Sequence, residues 1–121
     1  MPRRYPSNIV GLPFVGKDGV HCAVAVDRAG LAEADHVLLE RDVDNLHDPD
    51  AIAVFTDGIG ERWHIGFVPK RHTSWIGEQI DEGRPIRATI DTIHRDDSGR
   101  VTNVDLHIDL ARKGESFDDF L

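Results

Sequence analysis

Four carboxylates, Asp42, Asp44, Asp48 and Asp50, crowd one short segment, and that density is the raw material of a calcium loop or a metal-dependent nuclease. The spacing argues otherwise. A calcium loop of the helix–loop–helix type needs a central glycine and a closing glutamate, and Ala53 and Val54 occupy the end of this window. In the same segment Asn45 and Asp48 are residue types that fix tight loops by accepting backbone N–H bonds with their side chains. Asp105, His107 and Asp109 alternate, which places them on one strand face, and a wet sheet face accounts for them without a metal. Cys22 follows His21, but neighbours on an extended chain point to opposite sides, so the thiol reads as a packing residue and not a nucleophile. No glycine-rich loop leads into a helix to cradle phosphate, and no nucleophile has an attached base. An enzyme is not expected, nor is a cofactor.

Charge sets a second bound. The chain of 121 residues carries 22 acids against 14 bases, a formal net charge of −8. Non-specific nucleic-acid affinity comes mainly from phosphate neutralisation, so this balance argues against a general nucleic-acid coat, and any such binding must be local. The chain has 40% hydrophobic and 30% charged residues, the balance of one globular domain. One cysteine cannot make an intrachain disulfide, no apolar run approaches a membrane span, and Gly11 and Pro13 interrupt the stretch after Arg3 and Arg4. These features predict a cytoplasmic protein with no membrane partner.

The elements that must position these residues are mostly strands. Residues 1–7 read as a loose lead-in, 8–113 as the domain, and 114–121 as an acidic tail carrying Phe117, Phe120 and Leu121. A first strand is expected from Asn8 to about Val15, followed by the turn Gly16-Lys17-Asp18-Gly19. His21 to Asp27 reads as a strand and Ala29 to Asp35 as a helical turn. His36–Arg41 is a strand with Val37 and Leu39 on one face. Ala51–Phe55, a run of β-formers, reads as a central strand, forming a hairpin with Trp63–Val68 across Asp57-Gly58-Ile59-Gly60. The clear helix runs from Pro69 to about Glu82, with Trp75, Ile76 and Ile80 as its apolar stripe and Gly83 and Pro85 ending it. Ile86-Ala88-Ile90 and Val104-Leu106-Ile108-Leu110 alternate with polar residues around the turn Asp96-Asp97-Ser98-Gly99, a second hairpin. The fold class is therefore mainly β with one or two short helices, a small OB-like or SH3-like partly open barrel.

Two segments carry a resemblance. Arg41-Asp42-Val43-Asp44-Asn45-Leu46-His47-Asp48-Pro49-Asp50-Ala51-Ile52 leads into a strand, and Ile65-Gly66-Phe67-Val68-Pro69 steps into the helix. Together with Asn8-Ile9-Val10-Gly11-Leu12-Pro13-Phe14, this resembles the HIRAN family over roughly residues 8 to 92. Family members occur as accessory modules of SWI/SNF-type DNA translocases in replication-fork repair and as short stand-alone bacterial proteins. The resemblance implies a grip on single-stranded DNA at a free 3′ end, with an aromatic of the first strand stacked on a base and a loop Asn, aromatic and Asp around the terminal sugar. Those roles fall on Phe14, Asn45, His47 and Asp48. Pro13 stands where end-binding members have arginine, His47 where they have tyrosine, and Leu46 where they have proline.

The physics of such a site is simple. Phe14 is either a core residue or a stacking face, the latter worth about 1–3 kcal/mol per base. An ionised Asp48 accepts a hydrogen bond from a terminal hydroxyl and repels an internal phosphodiester. Lys70 and Arg71, at the helix start, are either solvated or available to phosphate. The leading expectation is a module for single-stranded DNA or DNA 3′ ends, in DNA repair or replication-fork processing. The alternative is an adaptor of the same fold with a protein partner. A metal-dependent nuclease ranks below both.

Overall fold

The computed structural model describes residues 3–57 and 62–111; most of the expected turn after Asp57 and the acidic tail lie outside the described residues. Six strands, β1 (Arg3–Ile9), β2 (His36–Arg41), β3 (Ile52–Thr56), β4 (His64–Phe67), β5 (Ile86–Arg95) and β6 (Val101–Leu110), form one antiparallel sheet in the order β1-β6-β5-β2-β3-β4. β5 and β6 pair along their length, with bulges at Ile90/Thr92 and His94/Arg95, whereas β2 meets β5 only at His36↔Thr89 and Val37↔Ala88. Bulges increase local twist, and the sheet curls until its two edges touch. Val10 and Phe67 exchange two backbone hydrogen bonds, of 2.8 and 2.9 Å. The result is the small, partly open barrel expected from the sequence.

The alternating positions do what their pattern requires. Val37, Ala88, Ile90, Val104, Leu106 and Ile108 point inward and are buried, joined by Ile9, Ile52, Val54, Ile65 and Ile76. The helix expected after Pro69 begins as a 3-10 turn (Lys70–His72) and continues as α2 (Thr73–Asp81), with Ile76 buried and Trp75 and Ile80 packed beside it. Gly83, at φ +67°, ends it as anticipated. α2 is fastened to β2 by Arg41, whose guanidinium makes a two-point contact with Asp81, 2.7 Å on each arm. That pairing holds the Asp81 carboxyl below its ordinary pKa.

Four expectations are corrected. Residues 3–7 are not a lead-in: they belong to β1, which pairs with β6 from Arg3↔Leu110 to Ile9↔Val104. Arg4 reaches Asp109 at 2.9 and 3.2 Å, so Asp109 is buried and not on a wet face with Asp105 and His107. The first strand ends at Ile9 and not near Val15, because Gly11, at φ +84°, turns the chain. Finally, Cys22–Arg28 is a helix, α1, and not a strand. Its buried residues, Cys22, Ala23, Ala25 and Val26, follow the three-to-four-residue helical period, and it packs on β4 and β6. Burial pushes the Cys22 thiol pKa up to about 11, as suits an inert packing residue. Among the described residues no helix is long and apolar enough to cross a membrane.

Candidate nucleic-acid interface

Two loops and the 3-10 turn lie near the place where the barrel edges meet. The loop between β1 and α1 is pinned at its backbone: Phe14 N–H donates to the Gly11 carbonyl (3.0 Å), and the Phe14 carbonyl accepts from Cys22 N–H (2.9 Å). Leu12 is buried, while the Phe14 ring is 71% exposed. Phe14 is therefore not a core residue: its backbone is fixed and its side chain is open to solvent.

The loop between β2 and β3 is organised by Asn45. Its side-chain oxygen accepts the N–H groups of His47 and Asp48, both at 2.9 Å, and its amide nitrogen donates to Asp42 at 3.2 Å. Asp48 Oδ1 accepts Asp50 N–H (2.9 Å). Among the described residues Asp48 Oδ2 has no partner, so one carboxylate oxygen remains available. His47 is exposed beside it. Asn45 is thus the loop's internal brace, whereas Asp48 both braces and presents.

The two loops are tied by Lys17, whose ammonium meets the buried Asp42 carboxylate at 2.6 Å. Lys70 and Arg71 follow β4 at the same end of β3, since Val68 N–H donates to the Ile52 carbonyl. Lys70 is exposed, but Arg71 leans away to donate to the Asn8 side chain at 2.9 Å. Of the six anticipated residues, Asn45, His47 and Asp48 share one loop, which the Lys17–Asp42 ion pair ties to the loop that carries Phe14, while Lys70 is exposed and Arg71 is engaged by Asn8. Among the described residues no group of three or more His, Cys, Asp or Glu side chains is placed to hold a metal ion.

Sequence reading missed His64, the residue beneath this arrangement. It is 2% exposed, and its Nδ1 accepts Lys17 N–H (2.9 Å), which makes Nε2 the protonated nitrogen that donates to the Gly66 carbonyl (2.9 Å). Asp18 accepts His64 N–H at 3.0 Å. Desolvation lowers the His64 pKa below its ordinary 6.5, and burial does the same at His72. Between the folded value and 6.5 the unfolded chain binds more protons, so stability is complete above 6.5 and falls as the pH drops through that window. Urea midpoints measured between neutral pH and about pH 5 should fall, and His64→Gln should remove a large part of that slope. An unchanged slope in the variant would show that His64 does not carry the effect.

Comparison with known proteins agrees with this architecture. The HIRAN domain of human HLTF superposes with a TM-score of 0.61 at 18% identity, covering 88% of this chain and 74% of that one. A structural-genomics target protein from Lactobacillus plantarum gives 0.59 at 16% identity, covering 90% and 99%. Curated proteins yield no match. At these identities the structures establish the fold, and the sequence itself establishes the kinship. The HIRAN domain family, which is associated with DNA binding, matches residues 7–109, nearly the whole described barrel, and the chain belongs to that family.

Proposed function

We propose that this domain binds single-stranded DNA and recognises a free 3′ end, as a binding module without catalytic activity that serves DNA repair or replication-fork processing. The observation that carries this reading is the exposed Phe14 side chain on a pinned backbone, tied through Lys17–Asp42 to a braced loop that presents an Asp48 oxygen with no partner among the described residues. A base stacked on Phe14 would bring its terminal sugar toward the Asn45–Asp48 loop. A 3′ hydroxyl can donate to Asp48, whereas a continuing phosphate meets a carboxylate. Lys70 supplies positive charge nearby, in keeping with recognition that depends on few phosphates.

Phe14→Ala is expected to weaken binding of a single-stranded oligonucleotide by roughly 10-fold or more, the loss of one stacked base. Phe14→Trp should retain it. Fluorescence anisotropy measures both, and wild-type affinity in Phe14→Ala would remove the platform from the account.

A second reading, a protein-binding adaptor, is favoured by Val15, Val43 and Leu46, which expose apolar side chains on the same two loops. It is the reading to adopt if oligonucleotides fail to bind even at low salt.

A further inference from the structure

Resting on that reading, we propose that His64 positions the two loops against one another, and that a second proton on its ring parts them, so that mild acid weakens DNA-end binding. The seat uses both ring nitrogens. Nδ1 accepts Lys17 N–H and Nε2 donates to the Gly66 carbonyl, each at 2.9 Å, on a side chain 2% exposed. A neutral imidazole has one acceptor and one donor nitrogen, and here both are taken. The turn from Gly16 to Val20 rests closely on the ring, since a Cβ at Gly16 would stand 3.0 Å from Nδ1. Asp18 completes the seat, accepting His64 N–H with one carboxylate oxygen and Val20 N–H with the other, both at 3.0 Å. Phe14 leads into this turn, whose ends are joined by the Val15–His21 bridge.

Counting donors gives the effect of an added proton. An imidazolium donates from both nitrogens and accepts at neither, so Nδ1–H would face Lys17 N–H as donor against donor. Keeping that geometry would bury a charge and leave two donors unsatisfied, a cost relieved when residues 16–18 lift away. Lys17 carries the consequence to the other loop. Its ammonium pairs with Asp42 at 2.6 Å, and Asp42 in turn accepts from the Asn45 amide. Asn45 holds the His47 and Asp48 N–H groups, so the stacking side chain and the end-reading carboxylate lose their fixed spacing together. The charged groups acting on the ring are Lys17 and Asp18 from the loop after β1 and Asp42 from the loop after β2. β3 and β4 face it with the rings of Phe55 and Phe67, and α1, packed on β4, buries Cys22 as a neutral thiol. Asp18 and Asp42 favour the proton, but desolvation outweighs them and keeps the ring neutral at neutral pH. His47, exposed next to Asp48, acts in the opposite sense, because its protonation favours an anionic strand.

The test is anisotropy with hexathymidylate ending in a 3′ hydroxyl, between about pH 7.5 and 5.5, where unperturbed histidines change charge. Circular dichroism at each pH restricts the comparison to folded protein. Wild type should bind about tenfold more weakly at the acid end. His64→Asn keeps an oxygen where Nδ1 stood but cannot take a proton, so its affinity should vary by less than about twofold over the same range. A second measurement needs no variant. Because coupling is reciprocal, saturating oligonucleotide should lower the pH at which the His64 ring titrates, followed by imidazole NMR, by about one for a tenfold preference. In the free protein the Lys17 and Asn45 amides should move with that titration. Equal wild-type binding across the range, the full decline retained in His64→Asn, or a His64 titration indifferent to oligonucleotide would overturn the proposal and leave the Phe14 and Asp48 reading standing. Absence of binding at the neutral end would overturn both.

Discussion

Gly66→Ala is expected to lower the stability of the domain by about 3–5 kcal/mol, a large part of what a protein of this size has. Gly66 sits at φ +143°, a backbone conformation essentially reserved for glycine. A Cβ there would stand 2.3 Å from Ile9 Cγ2 and 2.6 Å from the Val10 carbonyl oxygen, so the edge of β1 would have to move. That edge is where Val10 and Phe67 join the two sides of the barrel. Gly83→Ala is the natural control, because Gly83 also has positive φ (+67°) but a methyl group there would meet no atom within 4 Å. Thermal melts should show a loss of roughly 10 °C or more for Gly66→Ala and only a few degrees for Gly83→Ala. Equal losses would mean that conformation alone matters and the close approach of β1 does not. Any folded Gly66→Ala protein should also bind oligonucleotide more weakly, since the loop carrying Phe14 starts at this junction.

The second large effect concerns end selection. Asp48→Asn retains an oxygen able to accept Asp50 N–H, so the loop brace survives while the charge is removed. A hydrogen bond to a charged acceptor is worth about 1.5–3 kcal/mol, so affinity for a free 3′ hydroxyl should fall about 10- to 100-fold. Affinity for a 3′-phosphorylated strand should stay level or rise as repulsion disappears. Asp48→Ala should cost more, because it also removes the Asx turn. If Asp48→Asn bound both ends as wild type does, Asp48 would be a brace and nothing more.

How much of this was readable from the chain depends on where each contact comes from. β2, β3, β5, β6 and α2 follow local patterns, and Gly83 and Pro85 mark a real helix end. β1 was hidden because Arg3-Arg4-Tyr5-Pro6-Ser7 has no alternation and contains a proline; its pairing comes from β6 and from Arg4–Asp109, across the length of the chain. Pro6 is tolerated because β1 is an edge strand. α1 was missed because Cys-Ala-Val-Ala-Val alternates in size as well as fitting a helical face, and a short apolar run does not separate the two. In the site, Asn45 was legible as an Asx brace because its partners are two and three residues away. Lys17–Asp42 and the His64 seat were not, because both link turn residues to distant parts of the chain. Leu46 stood out in the sequence only as a departure from the family's proline, and its 96% exposure, an apolar residue in a loop rich in Asx side chains, comes from the structure.

The most direct measurement is anisotropy of one single-stranded oligonucleotide in two forms, 3′ hydroxyl and 3′ phosphate, with a blunt duplex beside them, at low and moderate salt. The account predicts tightest binding to the free 3′ hydroxyl, weaker binding to the phosphate, and little to the duplex, with the preference lost in Asp48→Asn. Equal binding to both ends would contradict end recognition, and no binding at low salt would contradict the DNA reading itself.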